Sequence, residues 1–198
     1  LAMHAETLLA ALDQKTRQVN GRDNIALHKA CSGQDGAGAN NQAFSWKLTD
    51  GDLKTEAKPP ASGFQYTIDL QQFHGGKRIE DRFDIHDVII SWGPYGTPYI
   101  ADGGQPQSYI TGYRLEFRDK PDGEWQLIHD FSGVPADEKA DRVEVTLEPL
   151  DNPHHAGEVT TWLQKLEVRR ASQLRLTGRG GLHWIGCFEL AAYGQRTD

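Results

Sequence analysis

The stretch Lys47-Leu-Thr-Asp-Gly-Asp-Leu-Lys-Thr55 sets three oxygen-bearing side chains, Asp50, Asp52 and Thr55, around one glycine. A glycine at that point permits a tight turn, and such a turn presents carboxylates and backbone carbonyls to one side. Calcium takes about six to eight oxygen ligands of this kind. The segment is too short for an EF-hand loop and lacks its closing glutamate. Taken alone, Asp-Gly-Asp also reads as a surface turn. Its meaning depends on what the rest of the chain brings to it.

To the C-terminal side the chain is a succession of short apolar or alternating runs separated by Gly, Pro, Asp and Asn. The clearest are Phe64–Leu70, Asp87–Trp92, Ile110–Arg118, Trp125–His129, Arg142–Leu147, Thr161–Val168, Gln173–Thr177 and Trp184–Tyr193. In Ile110–Arg118, Tyr113, Leu115 and Phe117 alternate with Arg114, Glu116 and Arg118, the period of a half-buried strand. Pro121-Asp122-Gly123 has the composition of a hairpin turn. About eight strands with frequent turns and no strand–helix alternation predict an all-β sandwich or jelly roll. The last run is unusual, because Glu189 interrupts an otherwise apolar strand. A carboxylate there is costly if buried without a partner or a metal, and harmless on a solvent-facing edge.

To the N-terminal side, residues 5–19 carry Leu8, Leu9, Ala11, Leu12 and Thr16 at helical spacing, with Asn20-Gly21 as the stop. This predicts an N-terminal helix or linker over 1–23 and a β-rich domain over 24–198. A helix outside the β-rich body is expected to pack against, or lead to, another domain.

Four pieces occur in a set order: Asn24-Ile-Ala-Leu-His-Lys29, the loop Leu48–Thr55, Ile68-Asp-Leu70, and Cys187-Phe-Glu-Leu-Ala-Ala-Tyr-Gly194. Together they resemble the discoidin, or coagulation factor 5/8 type C, superfamily, and most of all its bacterial branch, the family 32 carbohydrate-binding modules. The resemblance spans roughly residues 24–194. It implies a galactose-binding-like jelly roll with a structural calcium. By motif position the ion would be held by the carbonyls of Lys47, Asp52 and Phe188, the carboxylates of Asp50 and Glu189, and the carbonyl and hydroxyl of Thr55. It further implies a glycan ligand, bound by loops at one end of the sandwich.

The loops that fit are Gly93–Gln107, with Tyr95 and Tyr99 to stack on a sugar and Asp102 and Gln105 to bond its hydroxyls, and Arg179–Trp184, with His183 and Trp184. Trp184 also reads as the first core residue of the last strand. His74 and Arg78 sit in a further loop as possible hydroxyl readers. The arginine–asparagine pair common in the middle loop of such sugar sites is missing between Gly93 and Gln107. His154 and His155 form an adjacent pair in the loop Asp151–Glu158.

Composition narrows the class. The net charge is −7, and no run of Lys and Arg exceeds two. Nucleic acid is therefore not the expected partner. No apolar run reaches the roughly 20 residues of a membrane span. Cys31 and Cys187 have no metal-finger spacing and no CxxC partner. They read either as a disulfide in an exported protein or as two buried thiols. A chain opening at Leu1 is read as cut from a longer one, and the resemblance places it outside the cytoplasm, extracellular or periplasmic.

None of the nucleophile-elbow, zinc-protease, P-loop or dinucleotide motifs occurs. The expected role is thus a non-catalytic binding module of a larger glycan-active protein. Two alternatives are a jelly-roll lyase or hydrolase using His74, Tyr95 or Tyr99, and a discoidin-like protein- or membrane-binding adaptor.

Overall fold

In the computed structural model, residues 18–35, 42–52, 57, 64–74, 77–94, 110–131, 145–146, 159–180 and 185–197 are described. The strands are β1 (Gln18–Val19), β2 (Arg22–Asn24), β3 (Ala30–Asp35), β4 (Phe64–Asp69), β5 (Gln72–His74), β6 (Lys77–Ile79) and β7 (Phe83–Pro94). They continue as β8 (Ile110–Arg118), β9 (Gln126–Phe131), β10 (Val145–Thr146), β11 (Val159–Leu163), β12 (Val168–Ala171), β13 (Gln173–Gly180) and β14 (Ile185–Arg196). One 3₁₀ segment, Gln42–Thr49, is the only helical element among the described residues.

The strands form two antiparallel sheets. One runs β1-β2-β14-β7-β11-β10, with β12 also on β7; the other runs β3-β4-β13-β8-β9; β5 and β6 make a separate hairpin. Alternation sets the inner faces. In β4, Phe64, Tyr66 and Ile68 are buried while Gln65, Thr67 and Asp69 are partly open. They meet Leu115, Leu174 and Leu176 of the same sheet and Val88, Ile90, Leu190 and Ala192 of the other in one apolar core. The all-β sandwich expected from the strand pattern is what forms.

Three expectations need correction. Gln18–Val19 was expected to end a helix, but these residues pair with Arg22 and Asp23. Asn20 and Gly21 take positive φ of 53° and 74°. Two consecutive left-handed residues make a type I′ turn, for which Asn-Gly is the favoured pair. The dipeptide is a hairpin turn rather than a helix stop, and the sheet begins at Gln18. Residues 5–17 of the expected helix lie outside the described residues. Second, Thr161–Val168 was expected to be one strand. It breaks between β11 and β12 at Gln164–Glu167, where Lys165 has φ 55° and Leu166 donates to the His86 carbonyl. Third, Trp125 precedes its strand rather than opening it, since β9 begins at Gln126; of the expected strand Arg142–Leu147, Val145–Thr146 forms β10 and the other residues lie outside the described residues.

Pro121-Asp122-Gly123 does turn between β8 and β9, closed by Gly123 N–H to the Lys120 carbonyl at 2.9 Å. Outside on that sheet, Trp125 lies against two guanidinium groups, Arg118 at 4.4 Å and Arg175 at 4.3 Å from the ring centre. Arg175 also bonds Glu116 at 2.7 Å, and Arg118 bonds Gln173 at 2.6 Å.

Candidate functional site

The site is assembled by backbone bonds around the 3₁₀ segment. Ser45 Oγ donates to the Cys31 carbonyl at 2.6 Å, and Thr49 Oγ1 to the Lys29 carbonyl at 2.8 Å. Leu48 is fully buried and anchors the segment in the core. The chain then turns through Asp50-Gly51-Asp52. Asp52 N–H donates to Asp50 Oδ1 at 2.9 Å, an Asx turn, and Gly51 sits at φ 77°. A β-carbon is strained at that φ, which is the local reason for glycine.

The last strand reaches the same turn. Gly51 N–H donates to Glu189 Oε2 at 3.0 Å across 138 residues of sequence. Glu189 is 1% exposed, so its carboxylate does not face solvent on an edge. Just before it, the β7–β14 pairing shifts register between Cys187, opposite Trp92, and Glu189, opposite Ser91. Phe188 is the extra residue of this bulge, which takes its backbone out of the ladder with β7. On the other side of β14, Ala57 N–H donates to the Cys187 carbonyl.

The N-terminal motif closes the corner. Asn24 Oδ1 accepts from Ala26 N–H at 3.1 Å and from Ala192 N–H at 3.2 Å. Ile25 N–H donates to the Ala192 carbonyl, and His28 N–H to the Thr49 carbonyl at 2.6 Å. Asn24 therefore joins the first strands to the last through its side chain. Lys29 is half-buried with its ammonium 5.6 Å from the centre of the Phe83 ring. Burial pulls its pKa down, against the opposing pull of Asp81 and Asp69. Gly194 ends the last motif where a β-carbon would collide with the Asp84 carbonyl.

The expected calcium ligands Lys47, Asp50, Asp52, Phe188 and Glu189 thus lie on the two segments that meet here; Thr55 lies outside the described residues. The donor set is all oxygen, with two carboxylates and several carbonyls, and suits a hard cation such as calcium. Among the described residues no three His, Cys, Asp or Glu side chains gather as a metal cluster. An ion at this corner would therefore depend on carbonyls as much as on carboxylates.

The expected sugar-contacting residues are not brought together among the described residues. Tyr95, Tyr99, Asp102, Gln105, His183 and Trp184 lie outside them, as do His154 and His155. His74 and Arg78 fall on the β5–β6 hairpin rather than in a loop, and they do not oppose each other: His74 pairs with Lys77, and Arg78 with Phe73. Cys31 and Cys187 are free thiols. Burial pushes Cys31 up to about 12, and burial likewise holds Cys187 well above its usual value, so both stay protonated at neutral pH. Sequence reasoning passed over Trp46, which is 55% exposed beside the Asp50 turn with the Lys47 ammonium 5.9 Å from its ring centre. A tryptophan between Ser45 and Lys47, off any apolar run, was the available signal.

The sequence matches no protein-family model and no curated protein. By structure, the chain is similar to part of the Ruminococcus gnavus GH29 fucosidase E1_10125 in complex with fucose, at TM-score 0.51 and 15% identity, over 95% of this chain and 28% of the fucosidase chain. Looser likenesses are to CpGH89CBM32-6 of Clostridium perfringens, at TM-score 0.49, 15% identity, 87% of this chain and 100% of the other. The f-lectin (fucolectin) of Morone saxatilis (striped bass) serum follows at TM-score 0.48, 11% identity, 87% and 49%. The chain thus spans a little over a quarter of the fucosidase chain it resembles, and what the two share is the fold of that part.

Proposed function

We propose that this chain is a non-catalytic, glycan-binding module of galactose-binding-like, discoidin type, whose first and last strands are clamped by a structural calcium ion. The observation that carries the clamp is the bond from Gly51 N–H to the buried Glu189 carboxylate, which joins the Asp-Gly-Asp turn to the last strand. The ion would be held by Asp50 and Glu189, by the carbonyls of Lys47, Asp52 and Phe188, and by Thr55. Its chemistry there is charge neutralisation of two carboxylates, which makes burying Glu189 affordable.

Glycan binding is supported by the four ordered motifs and by the shared fold with part of a fucosidase solved with fucose. The proposed ligand class is a pyranose ring, stacked on Tyr95, Tyr99 or Trp184 and read by Asp102, His183, His74 and Arg78. The module would serve a larger, secreted bacterial glycan-active protein, where extracellular calcium fills sites of modest affinity.

A glycan array probed with the chain in calcium and in chelator tests this. Binding to at least one glycan class in calcium is expected, lost by Trp184→Ala or Tyr99→Ala with folding intact. No binding to any glycan by a folded, calcium-loaded chain refutes the module reading.

A further inference from the structure

We propose that Ser91 is a positioning residue for the Glu189 carboxylate when the ion is bound; this rests on the calcium reading above. Ser91 and Glu189 are direct partners across the β7–β14 ladder, one step past the bulge at Phe188. Directly opposed residues share a face, with β-carbons about 4.5–5.5 Å apart. Ile90 and Leu190, the next pair along, face the core. Ser91 and Glu189 therefore share the other face with the pair Ile89 and Ala191, which are both 1% exposed.

Ser91 itself is 3% exposed, and its Oγ makes no hydrogen bond within the described protein. A buried hydroxyl without a bond is a cost, and alanine or valine would occupy the position without it, as Ile89 and Ala191 do along the same face. The hydroxyl sits beside the one carboxylate that links the last strand to the Asp50 turn. When the ion binds, Ser91 Oγ donates to that carboxylate and fixes its rotamer, so that its remaining lone pairs face the turn. Groups that orient metal ligands in this way tune affinity without touching the metal.

Calorimetric titration of the chain with calcium, paired with thermal unfolding in chelator, tests the assignment on wild type, Ser91→Ala and Ser91→Thr. Ser91→Ala is expected to bind calcium about tenfold more weakly. Its unfolding temperature in chelator should equal or exceed that of wild type, because the unbonded hydroxyl is gone. Ser91→Thr, which keeps the hydroxyl, should restore affinity. If Ser91→Ala does not fold, Ser91→Cys, of similar shape but a poorer donor, should show the same loss. Wild-type affinity in Ser91→Ala overturns the assignment, as does an equal loss of stability with and without calcium. A wild-type chain that takes up no calcium overturns the clamp itself, and the assignment with it.

Discussion

The corner where the chain's two ends meet and the outer face of the β8–β13 sheet are held together by different means. At the corner the links are backbone groups and single polar side chains at fixed positions: Asn24 to Ala26 and Ala192, His28 to Thr49, Gly51 to Glu189. On the sheet face they are side chain to side chain: Trp125 against Arg118 and Arg175, Glu116 between Arg175 and Arg114, Gln173 with Arg118. A corner of the first kind tolerates few substitutions where a side chain satisfies a backbone group, as Asn24 and Glu189 do. On the sheet face the exposed or half-exposed members, Arg114, Arg118, Trp125 and Arg175, tolerate more, while Glu116 and Gln173 beneath them are buried and held by those partners.

Asn24→Ala should therefore cost most. It strips the acceptor from two backbone N–H groups, a loss of about 2–3 kcal/mol. The expected fall in unfolding temperature is roughly 5–10 °C by calorimetry. A fall no larger than that of a face variant would erase the contrast. Trp125→Ala comes next, at about 1–2 kcal/mol for the lost stacking on two guanidiniums. It should leave calcium affinity unchanged, which titration checks; a changed affinity would show that the two regions are coupled.

The smallest effect is electrostatic. Asp84 accepts from Arg170 N–H, Arg169 and Thr197, and that backbone bond, with the side-chain bonds and the Arg169 charge, holds its carboxyl below the usual value despite some burial. A carboxyl with a depressed folded pKa stabilises the protein above its unfolded pKa, and that stability is lost as pH falls through the folded value. Asp84→Asn should lower the unfolding temperature by about 1–3 °C at neutral pH. The difference from wild type should shrink on acidification below about pH 4. A difference that persists unchanged at pH 2 would assign the effect to packing instead.

The same contrast explains what the sequence disclosed. The corner was legible because its needs are residue-specific: an asparagine whose Oδ1 accepts from two backbone N–H groups at 24, a glycine at positive φ at 51, a glycine against the Asp84 carbonyl at 194. The alternating strand β4 was legible for the same reason, since it buries every second residue. The sheet-face cluster was not, because Trp125 and Arg175 lie 50 positions apart and only the β8–β9 and β8–β13 registers bring them together. Strand β3, Ala-Cys-Ser-Gly-Gln-Asp, has no apolar alternation; it forms through pairing with β4. Asn20-Gly21 carried a clear turn signal, but the apolar spacing before it made a helix stop the first reading, when two left-handed residues in a row fit a hairpin better. Glu189 stood out in the sequence as an acidic interruption of an apolar run, and it is 1% exposed rather than on a solvent-facing edge.

Thermal unfolding with and without calcium tests most directly whether a calcium ion joins the Asp50–Asp52 turn to Glu189. At a calcium concentration of 100 times Kd the native state gains about 2.7 kcal/mol. That raises the unfolding temperature by roughly 5–10 °C for a chain of this size. The rise should vanish in Glu189→Gln. An unfolding temperature that is the same in millimolar calcium and in chelator would contradict the account.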